Sequence, residues 1–291
     1  MVAARPIWRG LRVVEHLFTG ASIAVVAASS HRLGAPPQWL PGAVRWWHAR
    51  LCRALGVKVR VSGRPDPRCL LVANHISWLD IPALGAQAPL GFLSKAEVRA
   101  WPLVGWMAEV AGTLFITRGG HQTGAMASRI ADDIARGRSL MVFPEGTTSM
   151  GLGVRRFHPR LFAIAQQPGL GVQPVALSYR HGDDPRPDSA VPFVGEDTLL
   201  ASLMRILRHP DLIAEVRFLP PIAATAADDR RALSSRARLA IVTALGFPEH
   251  AGLDGESAAT HRRPRPGPLP GRVPRQRGPS GHGERSARRC L

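Results

Sequence analysis

From residue 69 onward, short apolar runs alternate with longer stretches of mixed polarity. The runs at 69–73, 113–117, 140–143, 172–178 and 213–218 are bounded by polar or turn-forming residues, which predicts strands covered on both faces. Segments 121–136 and 158–167 carry apolar residues at helical spacing, and 229–245 predicts a last helix that stops at Gly246. Strands alternating with helices predict an α/β fold: a mixed, mainly parallel central sheet flanked by helices.

The two ends follow other patterns. Residues 17–30 are apolar but shorter than the ~20 residues a helix needs to cross a bilayer. Arg5, Arg9 and Arg12 precede them and Arg32 and Arg45 follow, so flanking charge sets no orientation and an element lying at one membrane face is expected. A basic start, a short apolar centre and small residues near 27–30 also fit the outline of a signal peptide, and the two readings stay open. The stretch 38–55 is amphipathic, with Trp39, Trp46 and Trp47 beside Arg45, Arg50 and Arg53, the composition of an interfacial helix; the competing reading is that these rings cap the core. Beyond about 250 the chain is rich in Pro, Gly and Arg and too poor in apolar residues to order itself, which predicts a disordered basic tail. The expected organisation is interfacial helices over 1–60, an α/β domain over 61–250 and the tail over 251–291.

Charge sharpens this picture. The net charge of +17 over 291 residues is concentrated at the ends, which suits an anionic membrane or nucleic acid. Arginine supplies almost all of it, so a single Arg means little, whereas Lys95 is one of two lysines. Nucleic-acid binding lacks any stacking or groove-reading motif here and is not expected. Cys52, Cys69 and Cys290 form neither a disulfide framework nor a metal-type spacing; a reducing compartment fits, no metal is expected, and Cys69 reads as a small core residue.

The candidate chemistry lies where strands end. After 69–73 come Asn74, His75, Ile76, Ser77, Trp78, Leu79 and Asp80; after 140–143 come Pro144, Glu145, Gly146, Thr147, Thr148 and Ser149. C-terminal strand ends of a parallel sheet share one edge, where ligands bind. Ser77 followed by Asp80 is a capping-box pattern that starts a helix at Ser77 and leaves His75 in the preceding turn. His75 and Asp80 then read either as a general base with its orienting carboxylate or as a turn histidine beside a helix cap. Glu145-Gly146 followed by hydroxyls offers donors for an anionic group, and Arg118 and Lys95 offer cationic partners. A serine hydrolase with Ser77 or Ser149 as nucleophile is a poorer reading, since neither sits in a Gly-x-Ser-x-Gly elbow.

Together the blocks resemble the phospholipid and glycerol acyltransferase family, which includes 1-acylglycerol-3-phosphate acyltransferases and lyso-ornithine-lipid acyltransferases. The likeness covers roughly 70–220: Asn74-His75 with Asp80 looks like the catalytic motif, Gly112 to Arg118 like the second block, Phe143 to Thr147 like the third, and Val172-Gln173-Pro174-Val175 like the fourth. The resemblance implies a membrane-associated enzyme at the cytoplasmic face. It would move an acyl group from acyl-CoA or acyl carrier protein, without a covalent acyl-enzyme or a further cofactor, to the hydroxyl of a lysophospholipid. The first choice of acceptor is 1-acyl-sn-glycerol 3-phosphate, giving phosphatidic acid; the second is a lyso-ornithine lipid. By the resemblance His75 is the base and Asp80 orients it, Asn74, Arg118, Glu145, Gly146 and Thr147 serve the acceptor with Lys95 as helper, and Pro174 shapes the acyl side. The family's Phe-Lys-x-Gly is replaced by Phe157-His158-Pro159-Arg160, which loosens the inference about the acceptor. Oligomeric state is not indicated.

Overall fold

The computed structural model describes residues 4–34, 37–116, 130, 133–134, 139–166, 170–224 and 229–252, without the side chains of Lys95 and Glu97. In chain order the helices are α1 (Ala4–Arg32), α2 (Leu40–Leu55), α3 (Asp80–Gly85), α4 (Ala96–Arg99), α5 (Val104–Val110), a 3-10 helix (Pro159–Gln166), α6 (Leu199–Arg208) and α7 (Arg230–Leu245). The strands are β1 (Val57–Ser62), β2 (Cys69–Ala73), β3 (Leu90–Lys95), β4 (Leu114–Ile116), β5 (Ser139–Val142), β6 (Gly171–His181), β7 (Leu212–Phe218) and β8 (Ile222–Ala223).

One sheet runs β1-β7-β6-β2-β5-β3-β4, with β8 on β6. Every neighbouring pair is parallel except β6 with β7 and β6 with β8, which is the mixed, mainly parallel sheet expected. Strand β2 is buried throughout because it is covered on both sides: Leu70 and Val72 meet α7 and the 3-10 helix, while Leu71 and Ala73 face the opposite layer with α3. That double burial produces the unbroken apolar run seen in the sequence. Helix α7 is fixed at both ends, by Asp229 accepting from the Ala232 amide at 2.7 Å and by Gly246 at φ 72°.

Several boundaries differ from the sequence reading. Strand β1 begins inside the segment assigned to interfacial helices and pairs with β7, so the sheet reaches back to Val57; its half-exposed edge masks the apolar run. Strand β3 and helix α6 were missed. The expected helix at 158–167 is wound as a 3-10 helix. The expected helix at 121–136 lies outside the described residues except for 130, 133 and 134, and the tail from 253 lies outside them entirely.

The amino-terminal helix is longer than the apolar run at 17–30 suggested. It starts at Ala4, and its length and apolarity suffice to cross a membrane. Its buried stripe is His16, Gly20, Ala24 and Ala27, against which Trp47 stacks at 4.1 Å from the His16 ring and donates to the His16 carbonyl at 3.0 Å. A Cβ on Gly20 would come within 2.6 Å of the Trp47 ring, so glycine permits the close crossing. Trp47 is therefore a packing residue, whereas Trp39 and Trp46 are exposed as an interfacial reading requires. Ile7, Trp8, Leu11, Val14, Phe18, Val25 and Val26 point outward on α1. One apolar amino-terminal helix with its outer face uncovered points to membrane association.

Candidate active site

Strands β2, β3, β4 and β5 are parallel, so their C-terminal ends emerge on one edge and bring the 74–80 and 143–151 segments together. Asn74 makes the junction. Its side-chain amide donates to the Leu177 carbonyl at 2.9 Å and its side-chain oxygen accepts from the Leu177 amide at 2.8 Å, which continues the β2–β6 ladder by one step. Buried and bonded in this way, Asn74 positions the turn, where a place at the acceptor was expected of it.

His75 follows. Its Nδ1 lies 2.7 Å from Asp80 Oδ2, and its ring stacks on Phe143 at 4.1 Å between centroids. The side chain is 19% exposed, so the other ring nitrogen, Nε2, is the one left for substrate. The helix begins at Asp80 with Leu79 at its N-cap position and no side-chain cap, rather than at Ser77. The reason is visible in Asp80, whose carboxylate turns back to accept from the Ile76 amide at 2.7 Å and the Ser77 amide at 3.0 Å. Tyr179 completes the set, its hydroxyl donating to Asp80 Oδ1 at 2.7 Å. Burial and then the Asp80 charge push the Tyr179 phenol well above its ordinary value, so it remains a donor. Asp80 is fully buried, yet four donors converge on it, which is how a buried carboxylate is made tolerable. Sequence reasoning missed Tyr179; the available signal was that it is the one tyrosine in the chain, on a strand next to the catalytic edge.

Glu145 is also buried, and its two oxygens accept from the His75 amide at 2.8 Å and the Arg155 amide at 3.1 Å. Expected near the acceptor in a positioning role, this carboxylate bonds the backbone that carries the histidine. The next segment is held by Arg238, whose guanidinium donates to the Val154 carbonyl at 3.0 and 2.7 Å. Gly146 sits at φ 69°, and a Cβ there would approach the His158 ring to 3.1 Å. The His158 amide bonds the Pro144 carbonyl at 2.9 Å, so the stretch from Arg155 to Arg160 lies beside the Gly146 turn. Thr147 is exposed at that turn, and Ser149 ties it to the first block by donating its amide to the His75 carbonyl at 2.8 Å.

Other expected residues fare differently. Pro174 is buried in β6 in register with Val72, short of the strand end, where its missing N–H falls in the gap between the β7 and β8 pairings; the structure does not bring it to His75. Lys95 ends β3 on the shared edge, and its side chain is not described; Arg118 lies outside the described residues. Ser77 and Ser149 are buried, which removes both as accessible nucleophiles. Burial raises the Cys52 thiol to about 12 and the Cys69 thiol to about 11, so both are inert core residues.

The edge of the parallel sheet thus presents a partly exposed histidine bonded to a buried aspartate that four donors surround. The chain belongs to the acyltransferase family: that family's model matches residues 58–178, which hold both chemical blocks. The lyso-ornithine lipid O-acyltransferase of Pseudomonas aeruginosa is 46% identical over 84% of this chain and 95% of its own length. The lyso-ornithine lipid O-acyltransferase of Rhodobacter capsulatus is 37% identical over 73% and 79%. The 1-acyl-sn-glycerol-3-phosphate acyltransferase of Neisseria gonorrhoeae is 36% identical over 63% and 72%. Among solved structures, the 1-acyl-sn-glycerophosphate acyltransferase PlsC of Thermotoga maritima matches the fold with a TM-score of 0.61, covering 84% of this chain and 96% of that one at 18% identity.

Proposed function

We propose that this chain is a membrane-associated O-acyltransferase that moves a fatty acyl group from acyl-CoA or acyl carrier protein to the free hydroxyl of a lysolipid. The observation that carries the reading is the His75 Nδ1 to Asp80 Oδ2 contact on a side chain that stays partly exposed, which leaves Nε2 as the nitrogen not engaged by Asp80. Nε2 takes the acceptor hydroxyl proton as the oxygen attacks the thioester carbonyl; the tetrahedral intermediate collapses, the C–S bond breaks, and the imidazolium returns the proton to the departing thiolate. Asp80 holds the imidazole in the required tautomer and offsets the imidazolium charge. Burial of Ser77 and Ser149 favours direct transfer over an acyl-enzyme. The open apolar face of α1, with its arginines, is the surface that would rest on an anionic leaflet at the cytoplasmic face.

For the acceptor we place a lyso-ornithine lipid ahead of 1-acyl-sn-glycerol 3-phosphate, reversing the order drawn from the motifs. The relative that is 46% identical carries the lyso-ornithine name. His158 also stands over Gly146 where the resemblance calls for a lysine, replacing a fixed cation with an imidazole. Purified protein in detergent, offered lyso-ornithine lipid, lysophosphatidic acid and glycerol 3-phosphate against acyl-CoA and acyl carrier protein donors, tests both levels. Faster turnover with lyso-ornithine lipid is expected; preference for lysophosphatidic acid reverses the acceptor assignment, and no transfer to any lysolipid overturns the function.

A further inference from the structure

Strand β6 runs on past the catalytic edge and ends at His181. The connection that follows carries Asp188, and α6 ends at His209, its C-terminal cap residue. These three segments converge. Asp188 Oδ2 lies 2.8 Å from His209 Nε2, the His181 and His209 ring centroids are 4.9 Å apart, and one potential ligand atom from each of the three residues falls within 4.8 Å of the others. The His209 and Asp188 side chains are each 6% exposed, while His181 opens to solvent. His209 Nδ1 is buried with no hydrogen-bond partner, as are ring nitrogens of His16 and His48, and such a group costs stability until something satisfies it. Asp211, whose carbonyl accepts from the Gly182 amide at 2.9 Å, lies beside this cluster, but its carboxylate is paired with Lys58 at 2.7 Å.

We propose that His181, Asp188 and His209 form a binding site for a divalent transition metal of the zinc class. Two imidazoles and one carboxylate suit such an ion and not magnesium or calcium, which favour all-oxygen shells. Two ligands are already held by the core, and the exposed third supplies the entry path. The ligands come from three separate segments, so no spacing announces them in the sequence, where no metal was expected.

The site is structural with respect to acyl transfer, because it does not include His75. Its reach is through the connection it pins: the Asp188 amide bonds the Tyr179 carbonyl at 2.9 Å, and the Phe193 amide bonds the Ile76 carbonyl at 3.0 Å. Thr148 of the second block also donates its hydroxyl to the Phe193 carbonyl. A metal at this point ties the connection to β6 and α6 on one side, while the connection itself is already bonded to the turn behind His75.

The test uses the full chain in detergent, free of affinity tag, stripped with chelator and dialysed against zinc or against magnesium. After desalting, metal analysis should find one zinc per chain and no retained magnesium, and zinc well above its dissociation constant should raise the melting midpoint by about 5 °C. His181→Ala, at an exposed position, should fold normally yet bind zinc at least about tenfold more weakly and lose the thermal shift. Asp188→Asn should weaken zinc in the same way. Absence of stoichiometric zinc in the wild type, or equal zinc binding by His181→Ala, overturns the proposal.

Discussion

The substitution Glu145→Gln separates bracing of the histidine from contact with the acceptor. Glu145 is 4% exposed and uses one oxygen for the His75 amide and the other for the Arg155 amide. Glutamine preserves the shape but has one oxygen and one NH2, so one backbone donor must face another donor. Losing a hydrogen bond to a charged group and leaving its partner unsatisfied costs about 2–3 kcal/mol. In a domain of this size that lowers the melting midpoint by roughly 5–10 °C. The His75 backbone then loses an anchor, and since a displacement on the order of 1 Å costs up to ~100-fold, kcat should fall about 10–100-fold. KM for the lysolipid should stay within roughly threefold, because nothing that touches the acceptor has changed. Steady-state rates with the acceptor varied at saturating donor, paired with thermal scans, make the measurement. A tenfold-scale rise in KM with kcat and melting temperature unaltered would show that Glu145 binds the acceptor and would refute the bracing role.

Tyr179→Phe removes one of the four donors to Asp80 and leaves an oxygen short of a partner; stability should drop by about 1–3 kcal/mol and kcat should fall more than KM rises, as read from thermal melts and initial rates. Gly146→Ala places a side chain at φ 69° and 3.1 Å from the His158 ring; a loss of about 1–2 kcal/mol in denaturant titration, with weaker acceptor binding, is expected. His48 is held by burial at about 4 rather than 6.5. The unfolded chain therefore binds the extra proton first, and stability should decline as pH falls from about 6.5 toward 4, by up to about 3 kcal/mol. Melting temperature against pH, compared between wild type and His48→Gln, should show a shallower acid slope in the variant.

Much of this fold is legible along the chain because β2, β5 and most of β6 are buried on both faces and declare themselves as apolar runs. Gly246 and the pattern of 229–245 likewise mark a helix with a clean stop. What escaped is what depends on partners. Strand β1 hides because its outer edge is wet, and α1 reads short because Arg5, Arg9, Arg12 and Glu15 break up the apolar run along the sequence. At the site, His75 and Asp80 were visible by type and spacing. The bonding of Asn74 and Glu145 was not, since a buried amide mimicking a strand and a carboxylate bonded to two backbone amides depend on Leu177 and His75, distant in sequence from them. Tyr179 belongs to the same class.

The central claim is that His75 removes the proton from the acceptor hydroxyl. Its most direct test is the acyl-transfer rate of His75→Ala against wild type, at saturating lysolipid and acyl donor, on protein shown by circular dichroism and thermal scan to be folded. The account predicts an unchanged fold, since Asp80 keeps the Ile76, Ser77 and Tyr179 donors, and a rate lower by about 100-fold or more. Transfer at the wild-type rate by the folded variant would contradict it.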